Sequence, residues 1–302
     1  MARLSSLGPF LRLLRPAQWL KNLFVFAPLV FARELFILEA DMTALRAFVA
    51  FCFTASSIYI INDIADAEAD RAHPEKRFRP IASGEVSPRQ GLSLLSVLII
   101  LTTLIVASMD PRFITVLAAY FLFNLAYSFG LKDVLLLDVF IVAAGFMFRV
   151  VGGAYAINVQ VSSWLVLCSL FISLLLGFAK RRGELAIAPP ERGAGRKVLR
   201  LYSMSFIDQL LTFAAAGTVI SYALYTVAPR TIETFKTEKL IYTTVFVLYG
   251  VFRYIYLTQT TSRVENPTSA VTSDGPIILT GLLWILSCVV LIYSAGRIPW
   301  LG

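Results

Sequence analysis

Residues 43–70 read TALRAFVAFCFTASSIYIINDIADAEAD, a predominantly apolar run that ends in the aspartates Asp63, Asp66 and Asp70. Crossing the hydrocarbon core of a bilayer takes roughly 20 predominantly apolar residues per helix. The stretch therefore predicts a membrane helix over 43–62 with a carboxylate cluster at its end. At the helical turn angle, positions 63, 66 and 70 fall within an arc of roughly 60°, and Glu68 points well away. Three like charges on one face repel one another, and ionisable groups at membrane depth are costly, so the cluster calls for neutralisation. A divalent cation is one answer. Mg²⁺ prefers oxygen ligands, keeps several waters, and is commonly held by one or two carboxylates together with substrate phosphates. Asn62 adds a neutral oxygen or an amide donor. The alternative is a solvated acidic helix end paired with Arg71, Lys76 and Arg77.

The apolar pattern recurs outward from this stretch. The chain has 302 residues, of which 58% are hydrophobic and 15% charged, with a mean hydropathy of +0.75. Those values exclude a water-soluble domain of this length. Helices are expected near 18–37, 43–62, 90–109, 112–130, 134–156, 162–180, 205–227, 239–257 and 276–295, nine in all, forming one polytopic domain over 1–302. The fold class is thus an all-α integral membrane bundle. The first helix is interrupted by Lys21 and Asn22 and closed early by Arg33, and the opening segment lacks the features of a cleavable signal. The net charge is +8, and the positive residues concentrate in alternate loops: Arg3, Arg12, Arg15 and Lys21; Arg71, Lys76, Arg77, Arg79 and Arg89; Lys132; then Lys180, Arg181, Arg182, Arg192, Arg196, Lys197 and Arg200. Their alternation predicts that these loops and the N-terminus face the cytoplasm, with the C-terminus outside. No nucleic-acid-binding module is visible, so nucleic acid is not an expected partner. Cys52, Cys168 and Cys288 lie inside apolar stretches, which argues against disulfides or a zinc site.

After the aspartates, residues 73–84 place Lys76, Arg77 and Arg79 beside Pro74 and Gly84. A metal plus such cations suits a polyphosphate, since Arg offers forked donors and Lys a point charge. His73 is the only histidine; it suits loop packing or a phosphate contact better than general-base work. A second polar constellation follows the fourth helix, where Tyr127 and Lys132 precede Asp138 in an otherwise apolar segment. Asp138 either completes the metal site from across the bundle or pairs with Lys132 or Arg149. Arg149, also at membrane depth, is a candidate contact for an anionic group, with a buried aspartate pair as its alternative. Lys180, Arg181 and Glu184 either bind substrate or belong to a basic anchor that meets anionic lipid headgroups.

The pattern Asn62-Asp-x-x-Asp66-x-x-x-Asp70, with nine expected helices, resembles the first aspartate-rich motif of the UbiA superfamily of intramembrane prenyltransferases. The second motif of that family normally carries a closely spaced aspartate pair. Here the single Asp138 stands in its place, which departs from a donor site for an allylic diphosphate. Arg-Pro-x-Gln-Trp-x-Lys-Asn at 15–22, the run 70–81, Ala-Lys-Arg at 179–181 and Glu-Asn-Pro-Thr at 265–268 are similar to the branch that acts on decaprenyl phosphate. That resemblance implies 5-phosphoribosyl 1-diphosphate as donor, a polyprenyl phosphate as acceptor, and a site facing the cytoplasm at the cell membrane. It also implies Mg²⁺, with Mn²⁺ an allowed substitute, on Asp63, Asp66 and either Asp70 or Asp138. Gln18, Lys21, Asn22, Arg77, Arg79, Lys132, Lys180 and Arg181 are the expected phosphate contacts. The acceptor oxygen is already ionised at neutral pH, so no strong protein base is required. A homo-oligomer is compatible with the sequence but not encoded in anything legible there. Two other readings compete. One is C-prenylation of an aromatic ring from an allylic diphosphate. The other is a non-enzymatic lipid transporter, for which no inverted repeat is visible.

Overall fold

A computed structural model describes residues 7–73, 75–187, 197–260 and 273–294. Arg3, Pro74, Arg192, Arg196 and the 265–268 motif lie outside them. The described chain is helical, with no strand among its residues. In order it forms α1 (Leu7–Leu14), a 3-10 segment (Pro16–Phe26), α2 (Ala27–Phe31), α3 (Leu38–Ala65), α4 (Ala67–Arg71), α5 (Pro88–Val106), α6 (Pro111–Ser128), α7 (Leu137–Ala156), α8 (Ser163–Ile187), α9 (Met204–Val227), α10 (Pro229–Phe235), α11 (Thr244–Thr260) and α12 (Gly275–Ser294), with further short 3-10 turns between them. Seven helices among the described residues are long and apolar enough to cross a membrane: α3, α5, α7, α8, α9, α11 with its preceding 3-10 turn, and α12. The protein is a multi-pass membrane protein, and the large apolar residues exposed along α5 and α12, such as Leu104 and Leu286, are what lipid contact requires.

Two of the nine expected helices depart from a simple span. The stretch expected as a helix over 18–37 is instead an eleven-residue 3-10 segment followed by the five-residue α2. Arg15 enters it with a left-handed backbone (φ 52°, ψ 56°) ahead of Pro16, and Arg33 and Phe36 leave α2 with positive φ. Residues three apart eclipse on a 3-10 helix, so Trp19, Asn22 and Val25 share one side. The other departure is α6, which carries Arg112 and Asn124 and is not among the seven most apolar spans. Conversely, α3 starts earlier than expected, at Leu38, with Glu39 and Asp41 in its first turn, where negative charge complements the helix dipole.

The chain divides into two units, one of residues 1–129 with 148–160 and the other of residues 130–147 with 161–302. In the first, Phe51, Phe113 and Tyr120 form an edge-to-face aromatic core, and Gly153 lies so close to the Val25 carbonyl that a Cβ there would collide with backbone. The first unit's helix starts are closed by a Ser87/Gln90 capping box and by Asp110, which accepts from the Arg112 amide. In the second, α8 and α9 pack along their length around Leu175, Phe178, Ile207 and Leu211.

Candidate active site

The aspartate cluster is built where α3 gives way to α4. The helix loses regularity at Asp66 (φ −91°, ψ 3°), yet Asp66 N donates to Asn62 O at 2.9 Å and Asp70 N to Asp66 O at 2.8 Å. The three aspartates thus keep their helical phase through the break. Asp63 and Asp70 are buried, 1% and 2% exposed, and Asp66 is half-buried.

Burial of two carboxylates demands counter-charge, and it comes from two guanidinium groups. Arg15 Nη2 lies 2.6 Å from Asp63 Oδ1, with the Arg15 guanidinium 4.9 Å over the Tyr59 ring. Arg79 Nη1 bridges the pair, 2.6 Å from Asp70 Oδ2 and 3.3 Å from Asp63 Oδ1. The left-handed backbone of Arg15 costs roughly 1–2 kcal/mol and aims its side chain at this cluster. Arg71, Lys76 and Arg77, the cations nearest in sequence, are exposed instead, and Arg77 stacks on Phe78. His73 organises its loop: its Nδ1 accepts from the backbone N–H groups of Glu75 and Lys76 at 3.2 and 3.4 Å.

Two observations bear on whether a divalent cation fits. Asp63 Oδ2 is buried and accepts no hydrogen bond, which leaves an anionic oxygen open at the base of the cluster. Among the described residues, no three His, Cys, Asp or Glu side chains converge into a cage made of protein alone. The open Asp63 oxygen fits a hard cation held by one or two carboxylates with the remaining ligands from substrate and water.

A polar seam continues from the cluster along α3. Cys52, Ser56, Tyr59 and Asp63 follow the four–three–four spacing of one helix face. The eclipsed side of the 3-10 segment answers them: Trp19 Nε1 donates to Ser56 Oγ at 3.1 Å and Asn22 Nδ2 to Cys52 Sγ at 3.2 Å. Arg149 closes the seam by donating from Nε to Asn22 Oδ1 at 2.7 Å and from Nη2 to the Tyr120 hydroxyl at 2.8 Å, with its guanidinium stacked on the Tyr120 ring. Asn22, expected as a phosphate contact, is fully buried and serves this network. Gln18 and Lys21 are half-buried on the same segment.

The second unit has its own charged centre. Asp138 is fully buried and its Oδ1 accepts from the Tyr202 hydroxyl at 2.8 Å. Its Oδ2 lies 2.6 Å from Arg181 Nε, a charge contact without hydrogen-bond alignment. Arg181 also pairs with Glu184. Of the two roles open to Asp138, this geometry favours the structural ion pair, and the partner is Arg181 rather than Lys132 or Arg149. The physical reason is that burying a charge is costly unless it is paired, and here the Arg181 guanidinium lies against one oxygen while the Tyr202 hydroxyl donates to the other. Tyr202 also accepts from the Leu136 amide at 3.1 Å, and burial followed by its bond to Asp138 pushes its hydroxyl above the usual tyrosine range. Arg182 pairs with Asp208 at 2.7 Å and donates to the Thr258 carbonyl. Tyr127, Lys132 and Lys180 are half-buried.

Arg15, Tyr59, Tyr120 and Tyr202 are the polar residues that sequence reasoning did not place in these centres. Only Arg15 had a local signal, a cation immediately before Pro16 and the Trp19/Asn22 repeat. The tyrosines become visible only through partners distant in sequence.

Seven apolar spans among the described residues, with a buried centre of paired charges at the end of one of them, are the features of a multi-pass membrane protein. The sequence pattern of the UbiA prenyltransferase family matches residues 23–270, and the chain belongs to that family, a family of transferases. It is 40% identical, over 71% of its length and 69% of the relative's, to decaprenyl-phosphate phosphoribosyltransferase of Mycolicibacterium smegmatis. It is 35% identical to the protein of the same name from Mycobacterium tuberculosis, over 70% of its length and 72% of that relative's. The fold is similar to that of a UbiA homolog from Archaeoglobus fulgidus solved with GPP and Mg²⁺, with a TM-score of 0.69 at 18% identity, covering 96% of this chain and all of the other.

Proposed function

We propose that this chain, as one polytopic transferase domain, moves the 5-phosphoribosyl group of 5-phosphoribosyl 1-diphosphate onto a polyprenyl phosphate at the cytoplasmic face of the cell membrane. The observation that carries the reading is the Asp63–Asp70–Arg15–Arg79 centre, with its open Asp63 oxygen, in a chain this similar to proteins named for that activity. The lack of a closely spaced aspartate pair at Asp138, whose nearest aspartate in sequence is Asp133 five residues earlier, supports a ribosyl donor over an allylic one.

Asp63, with Asp66 or Asp70, would hold Mg²⁺, the remaining ligands coming from donor and water. When bound, the ion supplies Lewis-acid stabilisation of the departing diphosphate. Arg79, Arg77 and Lys76 meet the donor's phosphate oxygens with forked or point charges. The bond between ribose C1 and the diphosphate oxygen breaks with its electron pair leaving on diphosphate. An ionised oxygen of the acceptor phosphate forms the new bond to C1, so no proton has to be removed by the protein. The buried setting of Asp63 and Asp70 strengthens these charge interactions relative to water. The basic loops after α3 and α8 support the cytoplasmic orientation.

The test is incubation of purified protein with Mg²⁺, a polyprenyl phosphate and donor labelled in the ribose. Metal-dependent label in the organic phase is the expected result. Failure there, with prenylation of an aromatic acid from an allylic diphosphate, would keep the fold and overturn the reaction.

A further inference from the structure

The buried part of the centre at the end of α3 is balanced, Asp63 and Asp70 being matched by Arg15 and Arg79, and the half-buried Asp66 adds one negative charge beside it. A divalent cation added alone would leave the centre with a surplus positive charge in a largely buried place. A diphosphate added alone would leave it strongly negative. Arriving together, the two offset each other's charge, and the two arginines would then be free to meet phosphate oxygens with the same forked geometry they offer carboxylates.

Two further observations bear on such an exchange. Asp63 Oδ1 is shared by Arg15 and Arg79 while Oδ2 stays open, so a cation has a foothold before either ion pair breaks. The Arg15 and Arg79 side chains keep 27% and 26% of their surface exposed, against 3% for Arg181. The first two can turn toward solvent and the third cannot. The Tyr59 face, 4.9 Å from the Arg15 guanidinium, keeps that cation at the site after its carboxylate is released.

We infer that Arg15 and Arg79 are exchangeable counter-ions, which hold Asp63 and Asp70 in the metal-free protein and turn to diphosphate oxygens when a divalent cation and a diphosphate bind together. The inference rests on the reading of this centre as a metal–diphosphate site. It makes metal and donor bind as a pair, each strengthening the other by the same factor.

The experiment measures Mn²⁺ binding to the full-length protein by electron paramagnetic resonance, with and without inorganic diphosphate. The native protein should bind Mn²⁺ weakly alone and at least about tenfold more tightly with diphosphate. Arg15→Gln and Arg79→Gln should each bind Mn²⁺ alone about tenfold more tightly than the native protein, with a smaller gain from diphosphate. Arg15→Lys and Arg79→Lys keep the charge and lose the fork. They should bind Mn²⁺ alone as the native protein does while losing part of the diphosphate gain, and they decide the matter if a glutamine variant does not fold. Folded glutamine variants whose Mn²⁺ affinity alone is unchanged, or lysine variants with an undiminished diphosphate gain, would overturn the exchange and leave the site reading standing. No Mn²⁺ uptake by the native protein even with diphosphate would overturn both.

Discussion

The two units each bury an aspartate against an arginine, and they do so differently. At Asp63 the partners are two half-exposed arginines from elsewhere in the chain, and one carboxylate oxygen is left without a hydrogen bond. At Asp138 the partners are a buried arginine and a tyrosine hydroxyl: Oδ1 accepts from Tyr202, and Oδ2, which likewise accepts no aligned hydrogen bond, has the buried Arg181 guanidinium 2.6 Å away. A buried carboxylate whose partner side chains reach solvent is poised to exchange them. One whose partner arginine is itself buried is a structural tie, whose loss leaves an uncompensated charge.

The largest effect should come from breaking the first pair chemically. Asp63→Asn is expected to lower labelled-ribose transfer at least about a thousandfold, roughly 4 kcal/mol of transition-state stabilisation, while thermal unfolding in detergent changes little. Next is the converse change. Asp138→Asn should cost about 3 kcal/mol of stability by leaving Arg181 with a weakened partner, yet the fraction that stays folded should bind donor with native affinity. A reversed pattern, with Asp138→Asn abolishing donor binding in a stable protein, would assign Asp138 to the site. A smaller loss, about 2 kcal/mol, is expected from Asn22→Ala, which removes a hydrogen bond to the charged Arg149, and denaturant melts of this variant against Arg149→Met would show whether the two losses overlap as one network.

The smallest effect concerns pH. The hydroxyl of Tyr202 titrates above its ordinary value near 10 in the folded protein and near that value when unfolded. The folded state therefore holds this proton more tightly, and the stabilisation is complete below pH 10 and declines as pH rises beyond it. Unfolding of the native protein should show a steeper loss between pH 10 and 11 than that of Tyr202→Phe. Equal slopes would mean that Tyr202 is not the proton holder.

Much of this contrast was foreshadowed by local pattern. The apolar run ahead of Asp63, Asp66 and Asp70 marked both a span and the site at its end, because helical phase is a short-range property. The cost of a lone Asp138 in an apolar segment was equally legible. Its partner was not, since Arg181 meets it only through the packing of α7 and α8. The same limit applies to Arg15 and Tyr120. The stretch over 18–37 reads as a helix interrupted by Lys21 and Asn22 and closed early by Arg33; its 3-10 winding was not legible, because it goes with the partners that Trp19 and Asn22 find on α3.

That winding also bears on how the chain is made. Residues 16–26 leave the ribosome before 38–65, carrying an indole N–H and a carboxamide whose partners, Ser56 and Cys52, do not yet exist. In lipid such groups are costly when unsatisfied, so the opening segment gains little by settling across the bilayer alone. Entry alongside α3 would satisfy both groups at once, which ties the placement of residues 16–26 to that of α3.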